Sequence, residues 1–180
     1  MPQKEPNFHK IGWKQVDHDT GLLLEYLAEH QRRHKKKFAA LAFISRGGGV
    51  PASIMAYALG ITWMDVFNIT SYHGTRQGKV TIDKGLHPDT IARVGKDGER
   101  LLVVDDLADG GATLRAVRAL YPRATIVAPY VKSKKDGIKV LDAWAVQIPG
   151  STWYAFIWSK RERDSAVKEF REKNRKKNRK

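Results

Sequence analysis

The sequence predicts an α/β fold with a central, mostly parallel sheet flanked by helices, and three observations predict it. First, Leu101, Leu102, Val103 and Val104 form a β-favouring apolar run that stops at Asp105, the pattern of a strand buried on both faces, as central parallel strands are. Second, a short glycine-containing turn follows, and then LRAVRALY (residues 114–121) places Leu114, Val117, Leu120 and Tyr121 at helical spacing until Pro122 ends it. Third, the same order stands earlier in the chain: an apolar run through Ile44, a loop of Ser45, Arg46, Gly47, Gly48 and Gly49, and Pro51 as a good early helical residue.

The other elements follow in order. A first helix is predicted from an N-cap at Asp19 or Thr20, through LLLEYL and into QRRHKKK, whose basic residues complement the helix dipole. Residues 63–71 (WMDVFNITS) alternate well enough for a strand. From Tyr72 to Arg100 periodicity lapses, and Gly74, Gly78, Gly85, Pro88, Gly95 and Gly98 mark a long irregular segment. Inside a domain such a segment is functional or disordered, although VTI at residues 80–82 also suits a hairpin. Residues 124–132 (ATIVAPYVK) read as a strand ending in Lys132, and residues 141–148 (LDAWAVQI) as a further one with Trp144 in the core. STWYAFIW follows, with Trp158 packing or lining a pocket wall.

The carboxylates Asp105 and Asp106 therefore sit at the C-terminal end of a central strand, where α/β sheets bind ligands. Like charges side by side repel a phosphate, so the pair suits sugar hydroxyls or a hard divalent cation such as Mg²⁺. The helix N-terminus after Gly110, Gly111, Ala112 and Thr113 offers free N–H groups and a favourable dipole to a phosphate, with the Thr113 hydroxyl in addition. Asp109 stays available for proton chemistry. In the earlier loop Arg46 is a cation beside exposed N–H groups.

The segment LLVVDDLADGGAT (residues 101–113) resembles the phosphoribosyl-pyrophosphate (PRPP) signature of type I phosphoribosyltransferases. Residues 38–61 (FAALAFISRGGGVPASIMAYALGI) resemble the first strand, pyrophosphate loop and following helix of the bacterial xanthine-guanine (6-oxopurine) enzymes. The resemblance runs from about Phe38 to Trp158. It implies the type I fold with a small hood and a flexible lid loop, and transfer of the 5-phosphoribosyl group from PRPP to N9 of guanine, xanthine or hypoxanthine, with Mg²⁺. It assigns Asp105 and Asp106 to the ribose hydroxyls, directly or through the metal, and Gly110, Gly111, Ala112 and Thr113 to the 5′-phosphate. Arg46 and Gly47 take the pyrophosphate, Ser71 and Tyr72 open the lid, and Asp109 faces purine N7. Lys132 meets the exocyclic O6, Trp153 stacks on the base, and Tyr154 and Ser159 join the purine contacts.

The match departs from the family at two places. The family loop commonly reads Asp-Thr-Gly-Gly-Thr, whereas here Gly110 removes a hydroxyl and Ala112 replaces a glycine; a positive φ at Ala112 would cost about 1 kcal/mol or more. After the second tryptophan Ser159 stands where the bacterial xanthine-guanine enzymes carry an aspartate, which bears on base preference.

At 180 residues and 42% hydrophobic content the chain has enough apolar material for one sheet-centred core. The phosphoribosyltransferase domain is expected over residues 10–160. There is no cysteine, hence no disulfide framework and no thiolate nucleophile. His9, His18, His30, His34, His73 and His87 show no ligand spacing backed by carboxylates; His30 and His34 are i, i+4 but lie in a basic segment read as solvated. MPQKEPNFHK has no apolar signal-peptide core and no stretch of 18 uncharged apolar residues occurs, so a cytoplasmic protein without a transmembrane segment is expected. The net charge is +14, and residues 160–180 carry half of it, with eleven Lys or Arg against four Asp or Glu. This tail (161–180) reads as a frayed helix running into disorder, able to meet nucleic acid or an anionic membrane surface. A homo-oligomer, dimer or tetramer, is implied by resemblance. The competing function is a catalytically inactive PRPP-sensing regulator that binds nucleic acid.

Overall fold

The computed structural model describes residues 8–35, 37–73, 76–133, 136–150 and 153–159, together with 164 and 168. Two compact units emerge: one of residues 16–150, the other of residues 1–15 with 151–180. The basic tail, apart from Asp164 and Lys168, lies outside the described residues.

The larger unit is built on one sheet. Its strands are β2 (Ala40–Ser45), β3 (Met64–His73), β4 (Arg76–Lys84), β5 (Leu101–Val104), β6 (Leu107–Ala108), β7 (Thr125–Lys132) and β8 (Ala143–Ile148), while β1 (Phe8–Ile11) belongs to the smaller unit. The order runs β4-β3-β2-β5-β7, with β8 on the far side of β7. Every pairing is parallel except that of β3 with β4. Short β6 pairs β7 at Tyr130 and Val131, further along than β5, which meets it at residues 125–127. The line of β5 is thus broken at Asp105 and Asp106 and resumes after them.

All four residues of β5 are fully buried, as a strand covered on both faces requires. Alternation sorts the two faces. Leu41, Leu102, Val104 and Val127 face Leu23 and Leu27 of α1 (Trp13–His34) and Ala52, Met55 and Ala56 of α2 (Gly49–Leu59). Ala42, Ile44, Val103, Ile126 and Ala128 face Val94 of α3 (Pro88–Val94) and Leu114 and Val117 of α4 (Ala112–Leu120). α2 ends at Gly60, whose φ of +65° lets its N–H reach Tyr57 O while Ile61 N–H reaches Ala56 O, a glycine-terminated Schellman stop.

Three expectations are corrected. The first helix begins at Trp13, six residues before Asp19. Val16, Thr20, Leu23 and Leu27 form its buried stripe, and Asp19 is buried as the acceptor of a 2.7 Å bond from Tyr130 Oη instead of capping an end. The irregular segment expected from Tyr72 to Arg100 holds regular elements: the hairpin suggested by residues 80–82 is present as β3 paired antiparallel with β4, and α3 follows, with His87 as its N-cap accepting from Asp89 N–H. Asp65 ties these together, accepting from His87 N–H, Thr90 Oγ1 and Val66 N–H at 2.7 Å each and from Lys84 Nζ at 3.1 Å. Trp144 is 37% exposed rather than core. Ala143 and Ala145 take the face covered by α1 and α2, so the two-residue period turns Trp144 to the other face on a strand paired only with β7.

In the smaller unit β1 (Phe8–Ile11) pairs in parallel with β9 (Trp153–Phe156), Ile11 opposite Phe156, and both of these residues are buried. Trp158 stacks on Phe156 with ring centroids 4.9 Å apart. Among the described residues no helix is long and apolar enough to cross a membrane.

Candidate active site

The C-terminal ends of β2, β5 and β7 converge on one edge of the larger unit, and the residues that carry chemistry sit there. β2 runs into Ser45, Arg46, Gly47 and Gly48, with a cis peptide between Ser45 and Arg46 and the Arg46 side chain exposed. Gly48 N–H returns to Ile44 O at 3.1 Å and caps the strand before α2 starts. A β-carbon at Gly47 would overlap the Asp106 carboxylate, and one at Gly48 would lie 2.5 Å from Val104 O and 2.8 Å from Ile44 O. The loop after β2 is therefore pressed against the chain after β5, with Gly47 against the Asp106 side chain and Gly48 against backbone. Gly48 was not among the sequence candidates, although the triple glycine marks it.

Asp105 and Asp106 are held by β7 through the backbone: Asp105 N–H donates to Val127 O at 3.1 Å and Tyr130 N–H to Asp106 O at 3.3 Å. Asp106 N–H also donates to Asp105 Oδ1 at 3.0 Å. Burial, then the charge of Asp106 and a side-chain hydrogen bond to it, push the Asp105 carboxyl well above the ordinary range. Two hard oxygen donors crowded in this way suit Mg²⁺, which binds through one or two carboxylates plus substrate oxygens and relieves their repulsion. Among the described residues no group of three or more His, Cys, Asp or Glu could hold a metal alone.

The next loop carries Asp109, Gly110 and Gly111 into α4. Gly111 is its N-cap with φ +71°, and Ala112 is the first helical residue with ordinary φ. The conditional strain at Ala112 therefore does not arise, because the left-handed position falls on Gly111. Thr113 occupies the first turn of α4. Lys132, at the end of β7, donates from Nζ to Asp109 Oδ2 at 3.0 Å, with 13% and 32% of the two side chains exposed. The residues assigned to O6 and N7 are thus partners of one another.

Ser71 and Tyr72 lie near the C-terminal end of β3; their side chains are outside the described residues, as is that of Trp153 in β9. In the smaller unit Tyr154 is half-buried with its ring 5.2 Å from that of His9, and Ser159 Oγ donates to Phe156 O at 3.0 Å. His30 is not freely solvated: it is half-buried and lies parallel to Phe38, and burial followed by the nearby His34 lowers its pKa.

The fold has known counterparts. The fold is similar to that of a purine phosphoribosyltransferase from Pyrococcus horikoshii, at 23% identity and a TM-score of 0.67 over 85% of this chain and 95% of that one. It is also similar to the xanthine-guanine-hypoxanthine phosphoribosyltransferase of Helicobacter pylori, at 16% identity and a TM-score of 0.59 over 89% and 97%. A hypoxanthine phosphoribosyltransferase from Staphylococcus aureus aligns at 19% identity and a TM-score of 0.57 over 74% of each chain. Residues 13–161 match the phosphoribosyl transferase domain, and the chain belongs to that family.

Proposed function

We propose that the protein transfers the 5-phosphoribosyl group of PRPP to N9 of a 6-oxopurine, giving the nucleoside 5′-monophosphate and pyrophosphate in purine salvage. The observation that carries this reading is the 3.0 Å pair of Lys132 and Asp109 beside Asp105 and Asp106 on one sheet edge. A 6-oxopurine presents an acceptor at O6 and a nitrogen at N7, and a lysine and a carboxylate held together match that edge.

In the reaction the bond from ribose C1′ to the pyrophosphate oxygen breaks, the oxygen keeps the electron pair, and N9 bonds to C1′. Positive charge grows on the ribose as the leaving group departs. Asp105 and Asp106 hold the ribose hydroxyls and would hold Mg²⁺, which neutralises the leaving pyrophosphate when bound. Arg46 and Gly47 take the pyrophosphate, and Gly110 to Thr113 the 5′-phosphate at the α4 N-terminus. Asp109 accepts the proton the purine gives up, or holds it in a hydrogen bond at N7. Ser71 and Tyr72 belong to a lid that excludes water, since hydrolysis of PRPP competes with transfer. The remaining residues that the resemblance assigns to the purine are Trp153, Tyr154 and Ser159, of the smaller unit. The tail meets nucleic acid or an anionic membrane surface, and the protein is a cytoplasmic dimer or tetramer.

The test is nucleotide formation from PRPP and Mg²⁺ with guanine, xanthine, hypoxanthine, adenine or uracil, beside Asp109→Ala. Turnover of a 6-oxopurine that the variant loses supports the reading and ranks the bases. PRPP binding without turnover of any base overturns it in favour of the sensor.

A further inference from the structure

The chain leaving β7 comes back to the phosphate loop. Three residues of a 3-10 turn, Asp136, Gly137 and Ile138, precede Lys139, and Gly137 is buried. Its N–H donates to Asp109 O at 3.1 Å. A β-carbon on Gly137 would overlap that carbonyl and come within 3.2 Å of Ala108, while one on Gly111 would come within 2.8 Å of Gly137 Cα. Two glycine backbones thus meet without room for a methyl group on either.

This contact has a directional consequence. The Asp109–Gly110 peptide is trans, and in a trans peptide the C=O and the N–H of the same plane point in opposite directions. Holding Asp109 O on Gly137 N–H therefore aims Gly110 N–H away from the turn. Gly110 stands where the family carries a threonine, so its N–H is the donor this residue has left to give. We propose that Gly137 is a positioning residue that orients the Gly110 N–H toward the 5′-phosphate of PRPP. The inference rests on the function proposed above, and it concerns a residue that touches no substrate.

The experiment is calorimetric titration of the full chain with PRPP and Mg²⁺, comparing wild type, Gly137→Ala and Gly21→Ala, followed by KM for PRPP and for the purine. At Gly21 an added β-carbon meets no atom within 4 Å, so that variant is the control. Gly137→Ala is expected to weaken PRPP binding by about tenfold or more and to leave the purine KM within about twofold, because a displaced donor costs only the ligand it faces. Equal PRPP affinity in wild type and Gly137→Ala overturns the proposal alone. Absence of PRPP binding by wild type overturns the proposed function as well. Should Gly137→Ala fail to fold, amide exchange in wild type decides: slower exchange at Gly137 on adding PRPP and Mg²⁺ supports the proposal, and unchanged exchange overturns it.

Discussion

Lys132 Nζ donates to Asp109 Oδ2 at 3.0 Å, joining the last residue of β7 to the loop that enters α4. Under the proposed reaction the lysine reads O6 while the carboxylate serves N7, and each keeps the other in place. Asp109→Asn is expected to lower kcat by about 10²-fold or more with PRPP affinity retained, since only the proton-accepting group is lost. Lys132→Met is expected to raise KM for 6-oxopurines by about tenfold or more, because O6 then faces no donor. Steady-state kinetics with both substrates varied checks each.

The two loop glycines predict different failures. Gly48→Ala drives a methyl group against Val104 O and Ile44 O, backbone atoms that cannot give way, and is expected to destabilise by about 1–3 kcal/mol. Gly47→Ala meets the side chain of Asp106 first, and that side chain can turn aside. The expected loss is therefore in PRPP affinity more than in stability. Denaturation curves read beside PRPP titrations separate the two.

Asp65 predicts a pH dependence. Burial opposes its ionisation, but the bonds from His87 N–H, Thr90 Oγ1, Val66 N–H and Lys84 outweigh this and lower its pKa below the ordinary 3.8. A depressed carboxyl pKa gives stability that is present above the unfolded value and lost as pH falls through the folded one. Asp65→Asn should then be less stable than wild type by about 1–3 kcal/mol near neutral pH. The gap should begin to shrink below about pH 4, near the unfolded value, and close only as pH falls through the lowered folded pKa, where the wild-type carboxyl becomes neutral. Urea unfolding from pH 7 down to the acid limit reads it; a gap that persists at the lowest pH would contradict the assignment.

Tyr130 and Asp19 predict a stability effect at a distance from the chemistry. Burial and then the Asp19 carboxylate raise the Tyr130 pKa far above the tyrosine range, so the phenol remains a donor. Tyr130→Phe leaves the buried Asp19 short of its 2.7 Å partner and should cost about 1–3 kcal/mol. Thermal unfolding measures it.

What the sequence determined by itself was local. Leu101–Val104, the glycines from Gly47 to Gly49, and the Asp105–Asp106 pair carry their meaning within a few residues, because strand burial and turn geometry act over that range. Tertiary structure decided the rest. Pairing of β1 with β9 joins segments about 145 residues apart, and no pattern in FHKI announces its partner. Asp19 looked like a helix cap until Tyr130 claimed its carboxylate, and α3 needed Asp65 to hold its first turn against β3. Asp136 and Gly137 form a recognisable turn dipeptide, but that this turn braces Asp109 and Gly111 depends on two loops meeting in space. Backbone preference is written in each residue and its neighbours; the partner of a buried polar group is set only when distant chain segments pack together.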